Sequence, residues 1–203
     1  EWGVDPIGND MNTLVVHTVP HVIELLANYR KEMGGKMQWI VCPTAQPDQD
    51  RALYEQQVKE LVAEKCEAIY LWGVAGDRLT SEKKLDAIKD AVAIAHDAGV
   101  PSGVGGHDLN VIKYCEENNV PADFYIKTFH HHNYPTGPKP EEIEGPHAEI
   151  PGYWCREPEE TIKVMAAVEK PWFAFKVMAA GAIPPKDAFH YAYHNGADFI
   201  LAE

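Results

Sequence analysis

Residues 124–129 (FYIKTF) and residues 172–178 (WFAFKVM) are two apolar, strand-like runs, and each carries a lysine in its interior. Lysine is almost never fully buried without a partner, and burial disfavours its charged form. A deprotonated lysine is a nucleophile that can form a Schiff base with a carbonyl compound. Lys127 and Lys176 are therefore the strongest indication of both fold and function in this sequence.

On both sides of these runs, strand-like and amphipathic helical stretches alternate along the chain. The predicted strands cover residues 37–42, 68–72, 100–106, 124–129, 172–179 and 197–202. Helices with apolar residues at three- and four-residue spacing are predicted over residues 20–33, 48–65, 81–98, 159–169 and 185–196, with another that Asp108 would cap. Such alternation predicts a parallel sheet, either doubly wound or closed into a barrel.

We expect the closed alternative, an α/β fold with a TIM (β/α)₈ barrel in a single domain. Large or charged side chains at alternate positions, such as Lys127 between Tyr125 and Phe129, suit the interior of a barrel near its catalytic mouth. The G-x-G-x-x-G fingerprint of a dinucleotide-binding fold does not follow any predicted strand, and residues 103–106 (GVGG) are too short a match.

A barrel of this type has eight strands, whereas the patterns indicate six. Residues 13–16 (TLVV) are only a partial candidate for another strand. We therefore expect residues 1–203 to be an incomplete barrel domain with strands three to eight, in which strands one and two lie mostly upstream. On that count Lys127 and Lys176 lie on neighbouring strands, six and seven.

Composition argues against several classes of function. The chain has 203 residues, 45% of them hydrophobic, and a net charge of −13. This charge repels nucleic acids and anionic membranes, so the expected partner is a small-molecule substrate, with homo-oligomer formation left open. Four cysteines without a C-x-x-C pair argue against a zinc ribbon or redox motif and favour a reducing compartment such as the cytoplasm.

Strand geometry leaves three interpretations of the lysine pair open. If both lysines point into the barrel, their ammonium groups repel each other, and this repulsion together with burial favours a neutral, nucleophilic amine. Alternatively, one or both side chains extend along the wall to water. In the third interpretation each lysine forms a structural salt bridge with a carboxylate.

Residues 122–128 (ADFYIKT) resemble the strand-six motif of the deoxyribose-phosphate aldolases, and residues 175–183 (FKVMAAGAI) with residues 195–198 (NGAD) resemble their strand-seven to strand-eight segment. This resemblance implies that Lys127 forms the Schiff base and that Lys176 promotes its neutral form. The family continues its first lysine with small polar residues and glycine, whereas this chain has residues 129–132 (FHHH). The family's acidic residue on an earlier strand also has no counterpart here, so a different substrate is expected.

Over almost its whole length the chain is similar to a family of uncharacterised bacterial proteins predicted to be TIM barrels. Residues 150–162 (IPGYWCREPEETI) and 171–189 (PWFAFKVMAAGAIPPKDAF) carry this second resemblance. It implies a barrel and supplies no activity.

Histidines follow two neighbouring predicted strands: His107 after one, and His130, His131 and His132 after the next. Two imidazoles and a carboxylate can form an open catalytic centre for a metal such as Zn or Mn. The candidate ligands are His107, His130, His131 and Glu203, with Asp108 as an alternative oxygen donor. Without a metal, His130 or His107 is a candidate proton carrier near neutral pH.

Further residues are expected to line the substrate pocket at the carboxyl ends of the strands: Trp72, Thr44, Tyr125, Gly181 and Ala182. Gly181 and Ala182 would offer backbone N–H groups to a phosphate, or would simply form a tight turn. Residues 133–156 form a long proline-rich loop, predicted to be a lid or substrate wall, or alternatively an oligomer contact.

Three functions remain. The favoured one is a cofactor-independent, aldolase-like or lyase-like enzyme for a small carbonyl compound, in which Lys127 is the nucleophile, Lys176 its modifier and His130 or His107 the proton carrier. The first alternative is a metal-dependent hydrolase or isomerase built on the histidines. The second is a barrel that binds or assembles without catalysis.

Overall fold

The computed structural model describes residues 12–143 and 155–202, and in these residues the chain is an α/β fold with seven strands and eight helices. All six strand pairs are parallel, and the strands follow their sequence order, β1 to β7, in one half-barrel sheet. The elements are β1 Thr13–His17, α1 Pro20–Met33, β2 Gln38–Cys42, α2 Arg51–Ala63, β3 Ala68–Leu71, α3 Gly73–Ser81, α4 Leu85–Asp97, β4 Ser102–Gly106, α5 Leu109–Glu117, β5 Phe124–Thr128, α6 Pro140–Ile143, α7 Pro158–Met165, β6 Trp172–Phe175, α8 Pro185–His194 and β7 Phe199–Ile200.

Two side-chain layers cover the two faces of the sheet. The larger layer packs alternate strand residues, such as Val41, Ile69 and Val104, against the helices. The smaller layer contains only strand residues: Ile40, Cys42, Ala68, Tyr70, Phe124 and Ile126. We call the first the helix-facing side and the second the inner face. Side chains on consecutive strand residues alternate between them.

Local signals explain several helix boundaries. The Asp108 carboxylate accepts a hydrogen bond from the backbone N–H of Asn110 and caps α5, as predicted. The Asp50 carboxylate caps α2 in the same way, through the N–H of Leu53. Pro185 opens α8, where its fixed φ suits a first turn and its missing N–H costs no helical hydrogen bond.

The parallel α/β class is confirmed, but the predicted strand count of six is wrong. Residues 13–17 (TLVVH) form β1 and pair along their whole length with β2, so the described sheet has seven strands. The described strands form a half-barrel and do not close on themselves. None of the helices in the described ranges is long and apolar enough to cross a membrane.

The helix predicted over residues 81–98 is also corrected, because two helices lie between β3 and β4. The unpredicted one, α3, begins directly after β3 and lies very close to β4. A Cβ atom added at Gly76 would lie 2.1 Å from the carbonyl oxygen of Gly105, so only glycine permits this approach.

An ion-pair network holds α3 in place. The Arg78 guanidinium donates to both carboxylate oxygens of Asp48, at 2.5 and 2.9 Å, and to the side-chain oxygen of Gln46. Lys84 adds a second cation, 2.9 Å from Asp48. The hydrogen bonds from Arg78 hold the pKa of Asp48 well below its usual range. The position of α3 therefore depends on contacts distant in sequence.

The long loop after β5 is described only at its two ends. It contains the short helix α6, and its residues 144–154 lie outside the described ranges. The lid or substrate wall assigned to residues 133–156 therefore stays a prediction.

Candidate functional site

The carboxyl ends of parallel strands meet at one edge of a sheet, and polar and aromatic side chains gather at this edge. They follow or end β1, β3, β4 and β6, and α3 adds one carboxylate: His17, Trp72, Asp77, His107, Phe175 and Lys176. We call this group the edge cluster.

The best-defined contact in the edge cluster joins Asp77 to His107. The ring nitrogen Nδ1 of His107 lies 2.7 Å from one carboxylate oxygen of Asp77. The other oxygen accepts the backbone N–H groups of His107 and Asp108, each at 2.9 Å. The His107 side chain is 7% exposed and that of Asp77 19% exposed, so solvent screens this pair only weakly. Asp77 thus fixes both the backbone and the ring of His107.

Lys176 occupies the opposite side of the imidazole. Its Nζ lies 3.1 Å from Nε2 of His107, so the ring bridges a carboxylate and an amine. Lys176 is the first residue after β6, and its φ of +56° is in the left-handed region. This conformation costs a residue with a Cβ about 1–2 kcal/mol. It turns the lysine away from the strand pleat and towards His107.

Two aromatic rings, those of Phe175 and Trp72, contact polar side chains of the edge cluster. The Phe175 ring centroid lies 6.0 Å from that of His107 and 5.1 Å from Nζ of Lys176. His17 meets Trp72 edge to face at 4.9 Å, and desolvation lowers the pKa of His17. A Cβ on Gly73 would lie 3.3 Å from the His107 ring, so the start of α3 also contributes backbone to the site.

Lys127 lies elsewhere, on the helix-facing side of the sheet. Its register partners are Gly106 and Ala174. A Cβ on Gly106 would meet Val111 of α5 at 2.8 Å, and Ala174 belongs to the core that packs against the helices. Registered residues on neighbouring strands share a face, so Lys127 points to this side as well.

The neighbours of Lys127 in its strand agree with this direction. The Tyr125 hydroxyl donates to Glu116 of α5 at 2.6 Å, and the Phe129 ring stacks on Tyr191 of α8. Lys127 is 1% exposed, and its ammonium donates to the carbonyl oxygen of Thr128 at 2.6 Å. The expectation that Lys127 and Lys176 share a central cavity is therefore corrected, because the pleat turns Lys127 towards the helices.

The three consecutive histidines bind backbone groups. His130 is 1% exposed; its Nδ1 donates to the carbonyl of His131 and its Nε2 accepts the N–H of Cys155, at 2.9 and 2.8 Å. His132 donates from Nε2 to the carbonyl of Cys155. His131 accepts the N–H of Asn133 at 3.1 Å. His130 and His132 thus bind the backbone N–H and carbonyl groups of Cys155. These two hydrogen bonds attach the far end of the loop to the residues that follow β5.

The predicted metal ligands do not converge in the described ranges. No group of three or more histidine, cysteine, aspartate or glutamate side chains there could hold a metal ion. His107 is engaged by Asp77 and Lys176, and both ring nitrogens of His130 bind backbone. Glu203 lies outside the described residues.

The residues predicted to line a substrate pocket lie in different parts of the structure. Trp72 belongs to the edge cluster, whereas Thr44 is exposed and accepts a hydrogen bond from Gln57. The Tyr125 hydroxyl binds Glu116 on the helix-facing side, and burial raises its pKa. The N–H groups of Gly181 and Ala182 donate to Met178 and Ala179 within a turn, so the tight-turn alternative describes them.

A groove of about 410 Å³ opens beside the start of α7, away from the edge cluster. Its lining includes His131, His132 and Arg156 but neither His107 nor Lys176. The carboxylates of Glu157, Glu159 and Glu160 also line it, which makes its charge mixed.

Asp77 is the residue of the edge cluster that the sequence did not predict. It was missed because α3 was not predicted: residues 73–81 (GVAGDRLTS) contain two glycines and form no continuous apolar stripe. The available signal was the pair Gly73 and Gly76 directly after a strand. Glycine at such positions permits the close backbone approach seen between α3 and β4.

No known family model matches the sequence, and no curated protein matches it either. The resemblances to deoxyribose-phosphate aldolases and to uncharacterised barrel proteins therefore stay predictions.

Proposed function

We propose that the protein is a lyase-like or aldolase-like enzyme that forms a Schiff base between Lys176 and a small carbonyl compound. His107 is the proton carrier in this proposal. The observation that carries it is the 3.1 Å contact between Nζ of Lys176 and Nε2 of His107 at the carboxyl edge of the sheet. An imidazole in this position can take a proton from the ammonium and return it during the reaction.

The chemistry follows from this contact. His107 accepts a proton from Lys176, and the neutral Nζ attacks the carbonyl carbon to form a C–N bond. The carbonyl oxygen then takes two protons, the one that His107 removed from Lys176 and one of the two left on Nζ. It leaves as water, and an imine that keeps the last proton on nitrogen remains. When a bond at the neighbouring carbon then breaks, its electron pair moves to the imine nitrogen and gives an enamine, which is the step that lyases and aldolases share.

The environment of Lys176 supports it as the nucleophile in preference to Lys127. Lys176 is partly exposed, next to a histidine and held by a left-handed backbone. Strained residues of this kind cluster at functional sites. Lys127 is sealed between sheet and helices and donates to a carbonyl oxygen, so a substrate has no described path to it.

The barrel prediction is part of this proposal. We propose that the seven strands are consecutive strands of a (β/α)₈ barrel. Their sequential parallel order, the helices on one side and the inner face without helix residues support it. Active sites of such barrels lie at the carboxyl edge, where the edge cluster lies.

Borohydride trapping tests the proposed function. The protein is incubated with a pool of small aldehydes, ketones and 2-oxo acids, reduced with borohydride, digested and analysed by mass spectrometry. The hydride reduces the C=N bond to a stable secondary amine, so we expect an adduct on the peptide that contains Lys176. Lys176→Arg keeps the charge and should lose the adduct.

Lys186→Arg is the matched control, since Lys186 is exposed on α8 and should not affect trapping. An adduct on Lys127, or equal labelling of Lys176 and Lys186, would contradict the assignment. A blank result with every carbonyl class would remove the Schiff-base function.

A further inference from the structure

We infer that Asp77 is a positioning residue that holds His107 in one tautomer, with the proton on Nδ1, so that Nε2 is the atom that exchanges a proton with Lys176. This inference rests on the proposed function for its role in catalysis. Its geometric part concerns only the hydrogen bonds of Asp77 and His107.

The two oxygens of Asp77 have separate partners. One accepts two backbone N–H groups, of His107 and Asp108, and these cannot act as acceptors. The carboxylate is therefore fixed in rotation, and its other oxygen faces Nδ1 of His107 at 2.7 Å. Because a carboxylate only accepts hydrogen bonds, Nδ1 must carry a proton.

The opposite ring nitrogen then has a defined state. In a neutral imidazole with a proton on Nδ1, Nε2 is an acceptor. Within residues 12–143 and 155–202, it faces the ammonium of Lys176, a donor, at 3.1 Å. The carboxylate also stabilises the imidazolium that forms when His107 takes the proton, as in the Asp–His pairs of hydrolases. Asp77 thus acts on Lys176 through His107, without contacting a substrate.

Asparagine at position 77 would have almost the same size as aspartate but would exchange the donor and acceptor roles of the two His107 ring nitrogens. Its carbonyl oxygen would keep the two backbone donors, so its NH₂ group would face Nδ1 and donate to it. Nδ1 would have to become the acceptor, which moves the ring proton to Nε2. Two donors would then meet between His107 and Lys176, and Nε2 could no longer take a proton.

The experiment measures the ¹⁵N spectrum of the histidine rings in the full chain, where the two tautomers give different shifts for Nδ1 and Nε2. His107→Gln assigns the signals by removing one pair among the ten histidines. We expect the Nδ1–H form in the wild type and the Nε2–H form in Asp77→Asn. We expect the rate of borohydride trapping at Lys176 to fall by on the order of 10²–10⁴-fold in that variant.

Asp108→Asn is the matched control. It removes one carboxylate beside His107, asparagine caps helices as well as aspartate does, and the Asp108 side chain caps α5 instead of binding the ring. It should leave both the tautomer and trapping unchanged. A wild type in the Nε2–H form, an Asp77→Asn variant that keeps Nδ1–H, or equal changes in Asp108→Asn would overturn the inference.

The wild-type spectrum decides the tautomer even if Asp77→Asn fails to fold. Failure of the proposed function is distinguishable: the tautomer would still switch between wild type and Asp77→Asn, while no carbonyl compound is trapped on Lys176.

Discussion

Lys127 and Lys176 occur in similar apolar runs on neighbouring strands, but the structure places them in opposite environments. Lys127 is inside β5, 1% exposed, on the helix-facing side. Lys176 stands one residue beyond β6, partly exposed and in contact with an imidazole. The position of each lysine relative to the end of its strand, more than its neighbours in sequence, therefore decides whether its amine is buried or partly exposed.

The largest expected difference between the two lysines is in amine reactivity. We expect an acylating reagent in native buffer to modify Lys176 readily and to modify Lys127 on the order of 10³-fold more slowly or less, because Lys127 reacts only when the structure opens. Quantitative mass spectrometry of peptides after timed labelling measures both rates. In concentrated denaturant the two rates should become equal. Similar rates in native buffer would remove the contrast on which the choice of nucleophile depends.

A second prediction concerns the contacts that keep the Lys176 site in place. The Lys176 site depends on α3, whose Asp77 holds His107 and whose Arg78 is anchored by Asp48. Asp48→Asn should lower the free energy of unfolding by about 2 kcal/mol, less than for a fully buried pair because Arg78 and Lys84 are partly exposed. Denaturant titration measures this loss.

The matched control is Asp90→Asn, which breaks an exposed pair with Arg51 and should cost no more than about 0.5 kcal/mol. The Asp48 effect should also depend on pH with a defined sign. Its pKa is lowered by folding, so its stabilisation is fully present above the unfolded-state value of about 3.9 and is lost progressively as the pH falls from there through the lower folded-state value. Equal losses in both variants, or a loss for Asp48→Asn that persists in acid, would contradict the anchoring of α3.

The sequence predicted the parallel α/β class correctly and the direction of side chains poorly, for a physical reason. Parallel strands are buried on both faces, so their apolar runs are continuous and easy to find. The same burial removes the alternation of apolar and polar residues that would distinguish the helix-facing side from the inner face. The direction of the Lys127 side chain therefore could not be determined from residues 124–129. Its register with Gly106 and Ala174 shows that it points to the helix-facing side.

The edge cluster was predicted only in part. His107 was identified because it follows a recognisable strand, and Lys176 because it was predicted to lie inside one. Asp77 instead lies on a helix whose two glycines disfavour helix formation. Close packing against Gly105 compensates for that propensity, and packing of this kind is not visible in a single sequence. For the three consecutive histidines the error was the opposite one, because a site was predicted where the structure has structural contacts. Their pattern in sequence suggested metal ligands, but His130 and His132 bind the backbone of Cys155.

The smallest expected effect is a change in the pH dependence of stability at His131, close to the end of the strand that carries Lys127. His131 follows β5, and burial lowers its pKa, with Asp187 opposing that shift and His132 adding to it. Its folded-state pKa is below the unfolded value of about 6.5, so protonation favours unfolding and stability is lost as the pH falls below that value. We expect the denaturation midpoint to drop between pH 7.5 and pH 5.5 by more in the wild type than in His131→Gln. His131 binds Asn133 and meets Tyr191 of α8, and neither of these residues belongs to the edge cluster. Trapping at Lys176 at pH 7.5 should therefore be the same in both proteins, and a loss of trapping in His131→Gln would contradict the independence of His131 and Lys176.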